Sequence, residues 1–216
     1  MTTVAVMQPY FLPYAGYFRL FAAADRVALF DCVQFPRRGW VHRNRLPDAA
    51  GKPAWLTLPL RRAPVDARIR DLRFADDAAA RLHAACRRFP VLRDCGHPLY
   101  EAMLQLDGTV CDYLKKLLGL CCGTLNLPFE TIRTSTLGID PSLHGQDRVL
   151  AAIRALGATR YVNLEGGRSL YDAAAFDDQG IALRFLPEWQ GARWSILQRI
   201  LTEPAEAIAA DIRAQI

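Results

Sequence analysis

Long apolar runs are missing from this chain of 216 residues. No stretch reaches the roughly 18 to 20 consecutive apolar residues that a membrane-spanning helix requires. The first residues, MTTVAV, also lack the basic start and the apolar core of a secretory signal peptide. We therefore expect a cytoplasmic protein that has no membrane among its partners.

The motifs by which common enzyme classes are recognised are also absent. There is no GxSxG elbow, no Walker phosphate-binding loop, no HExxH zinc motif and no spaced Ser/His/Asp set. The six cysteines include no CxxC pair, and a zinc site would need paired ligands with histidines nearby. We predict no metal, and we expect buried or free thiols in a reducing compartment.

The composition that remains is that of an ordinary globular protein with a positive surplus. Hydrophobic residues make up 51% of the chain and charged residues 23%, as in typical folded domains. The net charge of +5 favours ligands that carry phosphate. The length suits one large domain. We expect a single α/β domain over residues 1–216, with a helical insert at about Asp76–Gly123.

The opening of the chain predicts a strand–helix–strand unit. Val4–Met7 is a short apolar run that suits a buried strand, and Gly16–Ala24 carries apolar residues at helical spacing. Arg26–Phe30 is the second strand of the unit. Such units join parallel strands, and ligands bind at the carboxyl ends of those strands. The loops Gln8–Tyr17 and Asp31–Arg45 should therefore meet at a ligand-binding edge.

Further elements complete a mainly parallel, Rossmann-like sheet. Strands are predicted at Trp55–Leu60, Arg68–Phe74, Phe129–Thr134, Tyr161–Leu164 and Ile181–Leu186. Helices are predicted at Asp76–Arg87, Pro98–Thr124, Gln146–Leu156, Trp194–Leu201 and Pro204–Ala214, with a break near Asp107.

The segment Pro36–Leu46 combines four arginines with a tryptophan and contains no acid. An aromatic ring can stack on a base or sugar while arginines hold phosphates in a forked geometry. The alternative is a surface loop whose arginines pair with acids elsewhere. The candidate substrate-binding residues of the two N-terminal loops are Gln8, Pro9, Tyr10, Tyr14, Gly16, Tyr17, Gln34, Arg38, Trp40, Arg43, Asn44 and Arg45.

A second wall of the site is predicted after the strand Tyr161–Leu164. Glu165 is followed there by Gly166 and Gly167, and glycine permits close approach of the backbone to a ligand. With Tyr171, these residues should share one pocket with the N-terminal loops, although more than a hundred residues separate the two segments.

Several segments carry a resemblance to a known family. MQPYFLPYAGYF, FDCVQFPRRGWVHRNR, WLTLPL and the later YVNLEGGRSLYD resemble the WbqC-like protein family. That family is known mostly from bacterial polysaccharide gene clusters, especially O-antigens with acylated amino sugars. The resemblance implies an amide-forming transferase that moves an acyl or aminoacyl group, such as glycyl, to the amine of a nucleotide-linked amino sugar or related metabolite. The setting would be O-antigen biosynthesis or a natural-product pathway.

The acyl donor stays open at this point. It could be an aminoacyl-tRNA, a carrier-protein thioester, or an acid activated by ATP, which makes ATP a possible cofactor. The pattern Tyr14-x-Gly16-Tyr17 also resembles, more remotely, the HxGH signature of nucleotidyltransferases, with tyrosines where histidines would stand.

Amide formation needs a base for the amine and donors for the oxyanion. Asp31 and Glu165 follow two predicted strands, and His42 is the best-placed imidazole, so these three are the catalytic candidates. The alternative for Asp31 is a buried partner of Arg43 or Arg45. The alternative for the whole protein is a non-catalytic module that binds a nucleotide or nucleic acid, such as tRNA, through its arginines.

Overall fold

A computed structural model describes all 216 residues. The seven strands are β1 (Thr3–Met7), β2 (Arg26–Leu29), β3 (Arg43–Pro47), β4 (Pro53–Thr57), β5 (Thr131–Arg133), β6 (Arg160–Leu164) and β7 (Ala182–Leu186). The eight helices are α1 (Arg19–Ala23), α2 (Ala78–Cys86), α3 (Pro98–Leu104), α4 (Val110–Thr124), α5 (Gly145–Ala155), α6 (Ala173–Asp177), α7 (Ile196–Thr202) and α8 (Ala205–Arg213). None of these helices has the length and the apolar character that spanning a bilayer requires.

The centre of the fold is a five-stranded, all-parallel sheet in the order β5-β2-β1-β6-β7. The chain builds outward from β1 through β2 to β5, then returns to the other side of β1 with β6 and β7. The strand order therefore reverses between β1 and β6, and in open α/β sheets ligands bind in the crevice at such a point. The predicted Rossmann-like, mainly parallel α/β fold is confirmed.

Strand β1 is the most enclosed strand because its side chains are apolar on both faces. Val4 and Val6 pack on one face in a core cluster with α5 and α6 residues. Ala5 and Met7 face the larger core formed with α1, α4, α7 and α8. A strand that is buried on both faces carries a continuous apolar run rather than an alternating one, which is why the apolar run Val4–Met7 predicts this strand.

Three helices, α2 to α4, lie between β4 and β5 in the chain, over the segment where helices were expected. The predicted break near Asp107 separates α3 from α4. Thr109 caps α4, because its side chain accepts a hydrogen bond from the Asp112 amide at 3.1 Å. The Tyr113 hydroxyl donates to the Met103 carbonyl at 2.7 Å and ties the two helices together.

Two secondary-structure predictions were wrong. Arg68–Phe74 forms no strand: a 3₁₀ turn occupies Ile69–Asp71, and only single bridges join Arg68 to Gln34 and Phe74 to Leu60. Conversely, part of the predicted loop Asp31–Arg45 is strand β3, paired antiparallel with β4. Its burial alternates, with Asn44 and Leu46 inward, but the polar residues Arg43, Asn44 and Arg45 obscure that pattern in the sequence. The predicted strand at Trp55 therefore belongs to this hairpin and not to the parallel sheet.

Candidate active site

A cavity of about 740 Å³ opens at the carboxyl ends of β1, β6 and β7, where the strand order reverses. The two predicted walls both contribute to it, so residues more than a hundred positions apart surround one space. The candidate binding or catalytic residues that line the cavity are Gln8, Tyr10, Tyr14, Tyr17, Trp40, Asn44, Arg45, Glu165, Gly166, Gly167 and Tyr171. Its volume lies within the range of small-molecule sites.

The loop after β1 is held in an unusual backbone conformation. Leu12 has a φ of 45°, a left-handed value that is rare for a bulky residue. Its carbonyl accepts hydrogen bonds from Asn44 Nδ2 at 2.7 Å and from Ser195 Oγ at 2.7 Å. Asn44 also donates to the Phe11 carbonyl at 3.1 Å. Two buried side chains from distant segments thus fix the loop that carries Tyr10 and Tyr14.

Aromatic packing sets the positions of the tyrosines. Tyr17 is buried, stacks on Tyr10 at 5.2 Å between ring centroids, and donates a hydrogen bond to the Gln8 carbonyl. Gly16 does not line the cavity but lies behind its wall. A Cβ at this position would come within 2.7 Å of the Trp189 ring, so glycine is required for the close packing of Tyr14 against Trp189.

Several polar groups on this wall have no partner within the chain. Gln8 Oε1 and Arg45 Nε are buried and make no hydrogen bond. The Arg45 guanidinium lies 5.2 Å from the Trp40 ring centroid and 5.7 Å from that of Trp55. Burial raises the pKa of Tyr10 and of Tyr14, so both phenols stay protonated at neutral pH and can donate hydrogen bonds to a ligand.

The opposite wall follows β6. Glu165 forms a two-pronged ion pair with Arg168, at 2.6 and 2.8 Å. The hydrogen bond from Arg168 lowers the pKa of Glu165, which keeps the carboxylate ionised. A Cβ on Gly167 would lie 2.9 Å from Asn163 Nδ2. Asn163 also donates to the Tyr161 hydroxyl at 3.0 Å, and that hydroxyl lies 3.1 Å from the hydroxyl of Tyr171.

The sequence reasoning missed a third group of lining residues. Glu188 and Trp189 follow β7, and Arg193 pairs with Glu188 at 2.6 Å. Arg19 also lines the cavity and is only 1% exposed. It donates to the carbonyls of Gly16, Pro187 and Gln215 rather than to a carboxylate, at 2.8 to 3.2 Å. The same rule that selected the loop after β6 applies to the loop after β7 and could have found Glu188 and Trp189.

Asp31 does not line the cavity. It is fully buried beyond the end of β2, and its carboxylate accepts hydrogen bonds from Arg133 Nε at 2.7 Å, Ser135 N at 2.9 Å and Ser135 Oγ at 2.7 Å. Asp31 is thus a buried ion-pair partner, as in the alternative to a catalytic role, but its partner is Arg133 and not Arg43 or Arg45. Every oxygen of this carboxylate is engaged in holding β5 against β2.

His42 is also outside the cavity lining. Its ring is half-buried and meets Phe35 edge-on, 5.0 Å between centroids. Burial and the nearby Arg43 charge lower its pKa to about 4, so the imidazole is neutral at physiological pH. Its Nδ1 is buried without a hydrogen-bond partner.

The remaining candidates outside the lining are Pro9, Gln34, Arg38 and Arg43. Pro9 is buried, whereas Gln34 is exposed and donates to the Val65 carbonyl at 2.8 Å. Arg43 donates to the carbonyl of Arg38 at 2.6 Å and stacks on Trp55 at 4.2 Å. No group of three or more His, Cys, Asp or Glu side chains is arranged to hold a metal ion.

The fold and this cavity define a Rossmann-like α/β protein with an open cavity at the switch point of its sheet. The chain belongs to the WbqC-like protein family, whose family model matches residues 8–195. It is similar to the uncharacterized protein Rv1507c of Mycobacterium tuberculosis, at 26% identity over 203 residues, covering 89% of this chain and 85% of that protein. No solved structure matches the chain.

Proposed function

We propose that the protein transfers an acyl or aminoacyl group, such as glycyl, to the amine of a nucleotide-linked amino sugar or a related metabolite, in O-antigen or natural-product synthesis. The observation that carries the proposal is one cavity that combines an ionised carboxylate, two protonated phenols and an arginine without an acidic partner. These groups are Glu165, Tyr10, Tyr14 and Arg45.

The cavity has complementary groups for both parts of such an acceptor. Arg45 can bind a phosphate oxygen, and its position beside Trp40 leaves an aromatic surface for a base or sugar. Glu165 is ionised and can bind the ammonium form of the amine. A cavity of about 740 Å³ has room for part or all of a nucleotide sugar.

The proposed acyl transfer uses the amine of the acceptor bound beside Glu165. The bound ammonium group first loses one proton to solvent. The free amine nitrogen then attacks the donor carbonyl carbon, a C–N bond forms, and the bond from that carbon to the leaving oxygen or sulfur breaks. The leaving atom finally takes the proton that the nitrogen loses. Glu165 can accept that proton on the way, and the phenols of Tyr10 and Tyr14 can donate to the oxyanion of the intermediate.

The geometry favours Glu165 over the other two catalytic candidates. Asp31 is fully buried outside the cavity lining, and His42 also lies off the cavity, whereas Glu165 lines it. We therefore assign catalysis to Glu165 and assign Asp31 and His42 to the surrounding framework.

Calorimetric titration tests the acceptor site. A nucleoside-diphosphate amino sugar should bind saturably, and Glu165→Gln should weaken that binding about tenfold, the size of a lost charged hydrogen bond. The N-acetylated sugar has no ammonium group, so its affinity should be the same for both proteins. Glu206→Gln, on the exposed face of α8, is the matched charge control. If Glu165→Gln weakened the binding of both sugars equally, the proposed role of Glu165 would be contradicted.

Mass spectrometry of the product tests the transfer itself. The same acceptor is incubated with an aminoacyl-tRNA, with a carrier thioester, and with ATP plus free amino acid. An amide product with any one donor supports the proposal and identifies the donor. Tight acceptor binding with no product from any of the three would favour the non-catalytic binding module.

A further inference from the structure

Two loops beside the cavity carry the positive surplus of the chain. The segments Val33–Trp40 and Leu60–Phe74 together hold seven arginines and two aspartates. That surplus equals the net charge of +5 of the whole chain, so the remaining residues are balanced in charge. We call these seven residues the arginine face: Arg37, Arg38, Arg61, Arg62, Arg68, Arg70 and Arg73.

The two loops form one continuous surface. The Phe35 amide donates to the Ala67 carbonyl at 2.8 Å, and Arg37 Nη2 donates to the Ala63 carbonyl at 2.7 Å. Gln34 and Arg68 are joined by a β-bridge. The sequence does not predict this juxtaposition, because Arg68–Phe74 is predicted to be a strand and the contacts between the two loops are tertiary.

Most of this charge is not neutralised within the protein. Arg61 pairs with Asp76, and Arg70 lies 3.8 Å from Asp71. The other five arginines have no acidic partner, and Arg37 and Arg73 bond only to backbone carbonyls. Guanidinium groups grouped in this way repel one another and attract a polyanion.

The arginine face leads directly to the mouth of the cavity. Arg38 and Gly39 are followed by Trp40, which lines the cavity. The Trp40 ring lies 5.1 Å from that of Trp55, which is 40% exposed. Single-stranded nucleic acids are bound by just such a combination of a basic surface and aromatic rings on which bases stack.

We propose that the arginine face binds RNA, with a single-stranded end of the RNA crossing Trp55 and Trp40 toward the cavity. Seven arginines spread over two loops exceed what one nucleotide sugar can contact. The exposed tryptophan favours RNA over an acidic protein, because bases supply stacking surfaces and carboxylates do not.

If the proposed acyl transfer is correct, this surface makes an RNA ester the donor. The amine nitrogen would form its C–N bond as the bond between the carbonyl carbon and the terminal ribose oxygen breaks. That ribose oxygen would take the proton that the nitrogen loses. This inference about the donor rests on the proposed function, whereas RNA binding can be measured independently of any transfer.

Fluorescence anisotropy with labelled unfractionated tRNA, at several ionic strengths, tests RNA binding by the full chain. The test variant replaces four arginines of the face: Arg37→Ala, Arg62→Ala, Arg68→Ala and Arg73→Ala. The control variant removes the same charge elsewhere: Arg26→Ala, Arg154→Ala, Arg160→Ala and Arg184→Ala. Each lost phosphate contact lowers the slope of log affinity against log salt by 0.7 to 0.9, so the test variant should lose about three units of slope.

The control variant should keep the wild-type slope. An equal loss of salt slope in both variants would mean that RNA binding follows net charge alone, and this would overturn the proposal. Failure of the wild-type protein to bind tRNA would overturn it as well, including the case in which it binds an acidic carrier protein instead. Thermal unfolding of both variants shows that each is folded before titration.

Trp55→Ala tests the path of the RNA end. Loss of one base stack should weaken binding of intact tRNA about tenfold without changing its salt slope. A tRNA whose single-stranded 3′ end has been removed should bind the wild-type protein and the variant equally. Equal weakening of both RNAs would exclude a stacked 3′ end.

RNA binding at the arginine face and acyl transfer in the cavity can each fail without the other. The four-arginine variant should bind a nucleoside-diphosphate amino sugar as the wild-type protein does, because none of its four positions lines the cavity. Amide formation from ATP and free amino acid, without tRNA binding, would overturn only the RNA proposal. Binding of tRNA at the arginine face without any transfer would overturn only the transferase.

Discussion

Two contrasting polar regions lie where the parallel strands of the central sheet end. Beyond β2 and β5, the Asp31 carboxylate is saturated by hydrogen bonds from Arg133, Ser135 and Thr134. Beyond β1 and β6, Gln8 Oε1 and Arg45 Nε are buried beside a cavity and have no partner. Buried polar groups are almost always hydrogen-bonded. A satisfied cluster therefore stabilises the fold, whereas an unsatisfied one beside a cavity is available to a ligand.

Removing Asp31 should give the largest effect, on stability. Asp31→Ala leaves Arg133 beside a buried space with no carboxylate there, and breaking such a pair costs about 3 kcal/mol or more. Asp112→Ala removes the exposed partner of the same arginine, 3.1 Å away, and should cost less than about 1 kcal/mol. Urea unfolding of the two variants measures the difference. A stable but inactive Asp31→Ala protein would return Asp31 to the list of catalytic residues.

An added methyl group should destabilise the protein at Gly16 but not at Gly166. Gly16→Ala forces a Cβ to within 2.7 Å of Trp189 and should destabilise the protein by about 2 kcal/mol, as overpacking does. A Cβ on Gly166 meets nothing within 4 Å, so Gly166→Ala should leave the unfolding midpoint nearly unchanged. Comparable losses of stability in the two variants would show that Gly16 is not packed as described.

The sequence predicted the edge of the sheet where the cavity lies, because β1 is an apolar run and its loop is rich in aromatics and proline. It could not predict the partner of Asp31, since Arg133 stands 102 residues away. An acidic residue after a strand looks the same in sequence whether its carboxylate is saturated by hydrogen bonds or faces a cavity. The sequence therefore predicts the same catalytic role for Asp31 and Glu165.

Strand β3 shows a second limit of sequence reasoning. Its alternating pattern is carried by Asn44 and Leu46, one of which is polar. The inward Asn44 is buried because it holds the carbonyls of Phe11 and Leu12, and this is a tertiary contact. The outward Arg43 lies against Trp55 on the neighbouring strand. Arginine and asparagine are poor strand signals, so the sequence pattern predicts a loop here.

Arg45 should affect binding far more than stability. Arg45→Met keeps an apolar stem beside Trp40 and Trp55 but removes the guanidinium, which has no acidic partner in the chain. The free energy of unfolding should change by less than about 1 kcal/mol. Affinity for a nucleoside diphosphate should fall about tenfold or more, as expected for a lost charged hydrogen bond. Calorimetry and urea unfolding on one preparation measure both. A large loss of stability with unchanged affinity would make Arg45 a framework residue.

His42 resembles Gln8 and Arg45 in one respect, because its Nδ1 is buried without a hydrogen-bond partner. Unlike them, His42 lies away from the cavity. Burial and Arg43 lower its pKa from 6.5 to about 4, so between these pH values the unfolded chain binds a proton that the folded chain does not. The stability contributed by neutral His42 is therefore present above pH 6.5 and is lost as the pH falls through about 4. The ring is only half-buried, so solvent screening reduces the loss to about 1 kcal/mol.

His42→Gln should flatten the pH dependence of urea unfolding in this window and leave nucleotide affinity at neutral pH unchanged. Parallel curves for the two proteins would contradict the lowered pKa, and a loss of affinity would place His42 with the ligand-binding groups.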